Sequence, residues 1–208
     1  ETREMPYDTL FLAPGASPIL PQSIPGVTLP QVFTLRNVED VQRIDGQLKA
    51  LSARQVAVIG GGFIGVEVAE NLKERGLEVT LCDLAPQVML PFDADMAQLL
   101  HKELADNGGR LRLGDGLSAI SMEGVTLASG AFLPAQAVIM AIGVLPETAL
   151  AKGAGLDIGA TGGIKVNEKM QTSDPAIYAV GDAVEITHFI TGKPLRLALA
   201  GPAIRQAR

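Results

Sequence analysis

The sequence contains one cysteine and two histidines among its 208 residues. A single cysteine excludes a disulfide within the chain and argues against a metal site with cysteine ligands. Cys82 lies inside a predicted strand, which favours a small buried hydrophobic residue over a reactive thiol. His101 and His188 are isolated and lack a partner at ligand spacing, so we expect both at the surface and no metal site. No serine–histidine–aspartate arrangement can be built from what remains, and we assign no catalytic residue within the chain.

Clusters of basic residues and long apolar runs are also missing. The formal net charge is −6, and the lysines and arginines are scattered, which argues against nucleic acid or an anionic membrane as a partner. The longest apolar stretch, residues 137–145, is far too short to span a bilayer. No signal-peptide pattern opens the chain, and we expect a cytoplasmic protein. Hydrophobic residues make up 47% of the chain, enough for one sizeable core or two modest ones.

A glycine-rich turn between a strand and a helix is the most informative feature that is present. Residues 55–59 have the length and β-branched content of a buried strand, and residues 63–74 continue in a helical pattern. Between and into them, Gly60, Gly62 and Gly65 fill the pattern G-x-G-x-x-G. In a dinucleotide site these glycines permit the turn, the close approach of a pyrophosphate and tight helix–strand packing. The helix N-terminus offers unpaired N–H groups to phosphates. We predict a dinucleotide-binding loop formed by Gly60, Gly61, Gly62, Phe63, Ile64 and Gly65.

An acidic residue follows the next predicted strand, residues 77–82. Asp83 lies 23 residues after Gly60, close to the spacing expected for an acid that accepts hydrogen bonds from the adenosine ribose. The following stretch, LAPQVMLP, contains no arginine or lysine, so a 2′-phosphate would meet a carboxylate without a counter-charge. We therefore expect NAD(H) to be preferred over NADP(H). The alternative is a structural glycine-rich turn in an unrelated α/β domain.

The order of elements predicts an α/β fold. A helix over residues 37–51, capped by Asn37, leads into the glycine loop, and the order from residue 55 is β-α-β-α-β. Short strands joined by tight turns then predict a small antiparallel β-meander. We expect a Rossmann-like parallel sheet with this meander. The remaining predicted elements are a helix at 93–106 and strands at 9–13, 110–113, 117–121, 125–128, 131–133, 137–142, 164–166 and 177–180.

Five segments resemble, in chain order, motifs of one known family. These are the two-dinucleotide-binding-domain flavoproteins, also called pyridine nucleotide–disulfide oxidoreductases. The matching segments are YDTLFLAPGASP, GGGFIGVEVAE, AIGVLPET and GGIKVNEKMQTSDPAIYAVGDAVE. The closing LAGPAIRQAR resembles a stretch of the branch that contains CoA-disulfide reductase, CoA-persulfide reductase and NADH oxidase.

The resemblance implies how the chain is organised. Residues 36–146 would form an NAD-binding domain, and residues 1–35 and 147–208 would be parts of a second, incomplete FAD-binding domain. The chain opens on Glu1 rather than methionine. The flavin domain's own glycine loop, the redox-active cysteine and the C-terminal dimerisation domain have no counterpart in the sequence. We therefore expect a fragment of a longer protein, which would be a homodimer through that absent domain.

The resemblance also assigns roles to single residues. Phe63 matches the aromatic residue that gates the nicotinamide pocket, and Glu67 matches the acid near the nicotinamide carboxamide. Gly143 lies on the junction beside the cofactor, and Asp182, after Gly181, matches the acid that bonds the flavin ribityl chain. Read from the residues alone, Phe63 could be a core residue, Glu67 a solvated first-turn acid and Asp182 a turn residue.

The implied function is transfer of hydride from NADH to FAD and onward to a disulfide, a persulfide or oxygen. The chain by itself is expected to bind NADH, to retain FAD poorly and to lack turnover. One alternative is a non-catalytic NAD(H)-binding module. Another is a flavoprotein reductase that delivers electrons to a protein partner. A free-standing NAD-dependent dehydrogenase is disfavoured, because the sequence has no Tyr-x-x-x-Lys or His–Asp pair for acid–base chemistry.

Overall fold

The computed structural model describes residues 3–208, which separate into two compact units. The helices are α1 (Val38–Ala50), α2 (Phe63–Glu74), α3 (Ala94–Asp106), α4 (Ala149–Gly153) and α5 (Ala200–Gln206), and Gly181–Ala183 forms a 3₁₀ turn. The strands are β1 (Leu10–Leu12), β2 (Ala16–Pro18), β3 (Val32–Thr34), β4 (Gln55–Ile59), β5 (Glu78–Asp83), β6 (Arg110–Leu113), β7 (Leu117–Ser121), β8 (Gly124–Leu127), β9 (Phe132–Pro134), β10 (Ala137–Met140), β11 (Val144–Pro146), β12 (Ile164–Lys165), β13 (Ile177–Ala179), β14 (Val184–Thr187) and β15 (Pro194–Leu195).

The larger unit, Pro18–Gly143, is built on a five-stranded parallel sheet of order β3-β10-β4-β5-β6. β7, β8 and β9 form a separate antiparallel meander. The predicted α/β class, with its parallel sheet and small meander, is confirmed. The helix cap is confirmed as well, because Asn37 accepts a hydrogen bond from the Asp40 N–H and Asp40 reciprocates in a capping box.

Alternation along the central strands explains why the sheet has a core on each side. In β4, Val56 and Val58 belong to the core that includes residues of α1 and α2, whereas Ala57 and Ile59 belong to the core that includes the meander. Successive side chains of a strand point to opposite faces, so a fully apolar strand must be covered on both. Helices cover one face, and the meander covers the other.

The larger unit begins at Pro18 and includes β3. β3 pairs with β10 along its length, with Phe33 opposite Ile139, and so extends the sheet by one strand. Residues from Pro18 therefore belong to the same compact unit as the glycine loop. Sequence patterns did not predict β3, because three residues carry too little periodicity and the strand is defined by its distant partner.

The smaller unit runs up to Ser17 and continues from Val144 to Arg208. β1 pairs in parallel with β13, β2 pairs with β11, and β12, β14 and β15 form a three-stranded sheet. A cluster around Ile164 and Ala179 forms its core. Over residues 3–208, no helix has the length and apolar character needed to cross a membrane.

A buried carboxylate anchors a turn of the smaller unit. Glu185 is only 6% exposed, and its Oε2 accepts hydrogen bonds from the Thr161 N–H at 2.5 Å and the Thr161 hydroxyl at 2.7 Å. Burial acts to raise the pKa of Glu185, but the hydrogen bonds from Thr161 and the Ala160 N–H, together with the charge of Lys165, hold the pKa below its ordinary value of 4.5. The charged form is therefore the one that the fold stabilises.

We predict that this carboxylate makes the smaller unit sensitive to acid. A pKa lowered by folding contributes stability that is present above 4.5 and is lost as the pH falls through the folded-state value. The free energy of unfolding of the Glu185→Gln variant should therefore fall less steeply below about pH 4.5 than that of the wild type. Urea unfolding followed by tyrosine fluorescence measures this, because Tyr7 and Tyr178, the two tyrosines, both lie in this unit.

Glu168→Gln is the matched control, since Glu168 is an exposed glutamate of the same unit. Its pH profile should follow that of the wild type. Parallel profiles for wild type and Glu185→Gln would contradict the assignment.

Candidate dinucleotide-binding site

The glycine loop lies at the carboxyl end of the central strand. β4 ends at Ile59, and Gly60–Gly62 connect it to the first residue of α2, Phe63. β4 is flanked by β10 and β5, and Ile59 pairs with Met140 on one side and Cys82 on the other. In open parallel sheets this edge forms the crevice in which ligands bind.

Two glycines of the loop are required by the fold itself. Gly60 has φ +111°, and a Cβ there would lie less than 3.0 Å from the Ala141 carbonyl. A Cβ on Gly65 would overlap the Gly60 carbonyl oxygen. These contacts press α2 against β4 and β4 against the end of β10, so a side chain at either position has no room.

Gly62 is different, because nothing in the described fold requires it to be a glycine. Its φ is −77°, which any residue adopts, and apart from its chain neighbours no heavy atom of residues 3–208 lies within 4 Å of a Cβ placed there. Gly62 is also the N-cap of α2, and no side chain among those residues caps the helix. As at the start of every helix, the first N–H groups of α2 have no intrahelical partner. Because Gly62 has no side chain that could cap them, these N–H groups stay open.

Asp83 ties the glycine loop to the end of β5. Its Oδ2 accepts a hydrogen bond from the Gly61 N–H at 2.5 Å, and its Oδ1 accepts one from the Ala85 N–H at 2.7 Å. A carboxylate has about four acceptor positions, so capacity remains for further donors. The structure thus brings the predicted acid to the predicted loop and adds an anchoring role that the sequence did not reveal.

The segment after Asp83 is also hydrogen-bonded to the loop. The Met89 N–H donates to the Gly61 carbonyl at 2.7 Å, and the Val88 N–H donates to Nε2 of His101 at 3.0 Å. His101 was expected at the surface as an isolated residue. It is instead half-buried, and its ring nitrogen supplies the partner that the N–H of the fully buried Val88 needs.

Phe63 and Glu67 lie on α2 one turn apart. The side chain of Phe63 is 43% exposed, so the alternative that it is a core residue is wrong. Its ring contacts the ring of Phe92 edge to face, with centroids 6.4 Å apart and planes at 87°. Glu67 is exposed on the same helix face as Phe63, whereas Ile64 packs against the helix-side core.

The other candidate residues lie near strand ends in both units. Gly143 ends the larger unit with φ +128°, and its carbonyl accepts a hydrogen bond from the Ile19 N–H at 3.0 Å. Gly181 and Asp182 belong to the smaller unit, where Gly181 has φ +82° and donates its N–H to Oε1 of Gln206 at 2.7 Å. Gln206 of α5 thus holds the Gly-Asp turn. Gln206 lies in the closing LAGPAIRQAR stretch, which the sequence singled out as a motif without giving Gln206 a role.

The cysteine is buried and inert in this setting. Cys82 on β5 is 1% exposed, and burial raises the pKa of its thiol to about 12. The interpretation as a small buried hydrophobic residue is confirmed. Within the part of the chain that the structure describes, no group of three or more His, Cys, Asp or Glu side chains is arranged to hold a metal ion.

Comparisons with known proteins point to one family. The model of the family "Pyridine nucleotide-disulphide oxidoreductase" matches residues 1–207. An NADH oxidase of Methanocaldococcus jannaschii is 44% identical over 210 residues, which cover 99% of this chain and 46% of the oxidase. The chain spans about half the length of the curated relatives that it matches.

Two solved structures superpose closely on the chain. The reduced CoADR-RHD of Bacillus anthracis is 51% identical, with a TM-score of 0.92, covering 97% of this chain and 37% of that one. A NAD-dependent persulfide reductase from A. fulgidus is 38% identical, with a TM-score of 0.93, covering 99% of this chain and 39% of that one.

We predict that Cys82 resists alkylation in the folded chain. At about pH 8 the thiolate fraction of a thiol with so high a pKa is negligible, and burial blocks the reagent as well. Mass spectrometry should show no iodoacetamide adduct on the native chain and complete modification in guanidinium chloride. Labelling at equal rates in both conditions would mean that the thiol is accessible and would contradict the assignment.

Proposed function

The chain belongs to the pyridine nucleotide-disulphide oxidoreductase family, and from this premise we propose that its larger unit binds NADH at the glycine loop. We propose further that the whole protein is an FAD-dependent oxidoreductase that takes hydride from NADH. The proposal for the whole protein goes beyond the chain, which spans about half of its curated relatives.

The observation that carries the proposal is the open Gly62. Gly60 and Gly65 are explained by contacts within the fold, whereas Gly62 is not. A glycine that the fold does not require, at the N-cap of a helix with no side-chain cap, is what a closely approaching pyrophosphate needs. The N–H groups at the start of α2 would then donate to the phosphates, and no basic side chain is needed there.

We propose NADH rather than NADPH because of Asp83. Its carboxylate retains acceptor capacity for ribose hydroxyls and would repel a 2′-phosphate. Residues 84–92 contain no arginine or lysine that could offset that repulsion. The A. fulgidus relative is described as NAD-dependent, which supports the same choice.

An engineered relative supports this reading of the acid. An NADPH-bound, water-forming NADPH oxidase, 32% identical to this chain with a TM-score of 0.84, is a mutant of a Lactobacillus brevis NADH oxidase. Its substitutions replace an aspartate by alanine, and two of them introduce arginine. The substituted glycine and aspartate of that oxidase are 18 positions apart, the same separation as Gly65 and Asp83.

The smaller unit would hold part of the flavin. The positive φ of Gly181 and the hydrogen bond to Gln206 fix the Gly-Asp turn, and Asp182 is half-buried within the same 3₁₀ turn. No group among residues 3–208 donates a hydrogen bond to the Asp182 carboxylate, which leaves it as an acceptor for a hydroxyl of the ribityl chain. FAD, when bound, accepts hydride from NADH and passes electrons on singly or in pairs. The chain's own residues would contribute binding and orientation.

We propose that the acceptor is a small disulfide, a persulfide or oxygen. The names of the relatives support each of these: an NADH oxidase, a coenzyme A disulfide reductase and a persulfide reductase. Cys82 does not serve as the redox thiol, because burial keeps it protonated. The second candidate is a reductase that delivers electrons to a protein, since the chain also resembles a ferredoxin reductase at 32% identity and a TM-score of 0.88.

We predict that Gly62→Ala leaves the fold intact and weakens NADH binding. A methyl group there meets no described atom beyond the chain neighbours, so the thermal midpoint should not fall. It would occupy the space over the open N–H groups, and the affinity should drop by at least about tenfold. Calorimetric titration of the chain with NADH measures the loss.

Two variants serve as controls for that experiment. Gly46→Ala on α1 also adds a methyl group with no described atom within 4 Å apart from its chain neighbours and the backbone of its own helix, and it should not change NADH affinity. Gly65→Ala should lower the thermal midpoint, because its Cβ overlaps the Gly60 carbonyl. If Gly62→Ala binds NADH as tightly as wild type, or if the wild-type chain binds no NADH, the proposal fails.

We predict that cofactor preference can be reversed at Asp83. In the triple variant Asp83→Ala, Leu84→Arg, Leu90→Arg, the carboxylate is removed and two cations are placed at the same separations from the acid as in the engineered oxidase. Leu84 and Leu90 are exposed, so the arginines need not disturb packing. Hydrogen bonds to a charged group contribute about 1.5–3 kcal/mol, so the NADH/NADPH affinity ratio should change by about 10- to 100-fold.

The double variant Leu84→Arg, Leu90→Arg isolates the role of the acid, because it gains the cations but retains Asp83. It should bind NADPH less tightly than the triple variant. Asp83→Asn provides a second test that keeps an acceptor oxygen for the Gly61 N–H while removing the charge. An unchanged affinity ratio in both charge-removing variants would show that Asp83 only anchors the loop.

A further inference from the structure

We propose that Phe92 is a positioning residue for NADH binding and that it acts through Phe63. The inference rests on the proposed function, since it assumes that the glycine loop holds NADH. It starts from the edge-to-face contact between the two rings, whose centroids are 6.4 Å apart with their planes at 87°. Phe92 lies 29 residues from Phe63 along the chain, so only the fold brings the two rings together.

Phe63 stands where a small change in its side chain would reach the ligand. It is the first residue of α2 and directly follows the open Gly62. Its side chain is 43% exposed, so core packing does not hold it in one rotamer. Within the described chain, the aromatic ring that Phe63 contacts is that of Phe92. That contact therefore selects the orientation of a large side chain beside the phosphate-binding N–H groups.

Phe92 is itself held in place relative to the glycine loop. Its N–H donates to the Met89 carbonyl at 2.8 Å, and its carbonyl accepts a hydrogen bond from Nε2 of Gln87 at 2.9 Å. Met89 in turn donates its N–H to the Gly61 carbonyl at 2.7 Å. The backbone of Phe92 is thus connected to the loop by two hydrogen bonds in series, which fix the point from which its ring reaches Phe63.

Two residues of the segment 83–92 therefore bind the same short loop. Asp83 accepts the hydrogen bond of the Gly61 N–H, and Met89 occupies the Gly61 carbonyl. The acid assigned to the ribose and the ring that supports Phe63 are joined through one residue, Gly61. The segment would hold the loop and the Phe63 side chain in a binding-ready arrangement before NADH arrives, which lowers the ordering cost of binding.

The test is a double-mutant cycle on NADH affinity, measured by calorimetry on this 208-residue chain. Phe92→Leu removes the ring but keeps an apolar side chain at a position that is 42% exposed, so the fold should persist. We expect it to weaken NADH binding by about two- to tenfold, the size of an edge-to-face ring contact. Phe92→Tyr keeps the ring and should bind NADH as wild type does. In a Phe63→Leu background, Phe92→Leu should have no further effect.

Phe132→Leu is the matched control, since Phe132 on β9 is also exposed, at 51%, and lies in the same unit. It should leave NADH affinity unchanged.

A ¹⁹F NMR measurement tests the ring contact directly. In a chain labelled with 4-fluorophenylalanine, the resonance of Phe63 should move in the Phe92→Leu variant even without NADH. A remote structural effect would not produce that shift.

Two results would overturn the inference while the proposed function stands. One is an unchanged affinity in Phe92→Leu. The other is an equal loss of affinity with and without the Phe63 side chain, which would mean that Phe92 acts independently. If the wild-type chain binds no NADH at all, the proposed function fails, and this inference fails with it.

Discussion

The close approach of Gly65 on α2 to the Gly60 carbonyl is the contact on which the rest of the site depends. There is no room for a side chain between them, so the first turn of α2 lies directly against the end of β4. Gly60 is pressed in the same way against Ala141 at the end of β10. Together these contacts fix where the N-terminus of α2 points, and the helix dipole and free N–H groups are placed with it.

The central strands of the larger unit are buried on both faces, and this holds the glycine loop in place. β4 and β10 are apolar on both faces, with helices on one side and the meander on the other. A strand buried on both faces has little freedom to shift, because each shift would open gaps in two cores. The glycine loop thus extends from a rigid central strand, which would suit the proposed NADH site, where a cofactor must be positioned.

The segment after Asp83 shows how hydrogen bonds turn a loop into part of the site. Gly61 is engaged through both of its backbone polar groups, by Asp83 and by Met89, and His101 satisfies the N–H of the buried Val88. Buried backbone groups need partners, and here Asp83, Met89 and His101 supply them. The same bonds that satisfy the backbone place an exposed aromatic ring beside the start of α2.

The sequence by itself determined the features that arise from local spacing. The G-x-G-x-x-G turn, the acid at the end of β5, the Asn37 cap and the apolar period of each long element follow from neighbours within a few turns of the chain. Only the tertiary structure decided that Gly62 is the loop glycine that the fold does not require, that β3 joins the larger unit, and that Phe92 meets Phe63. Each of these depends on which distant atoms approach a residue, and no period or motif along the chain encodes that distance.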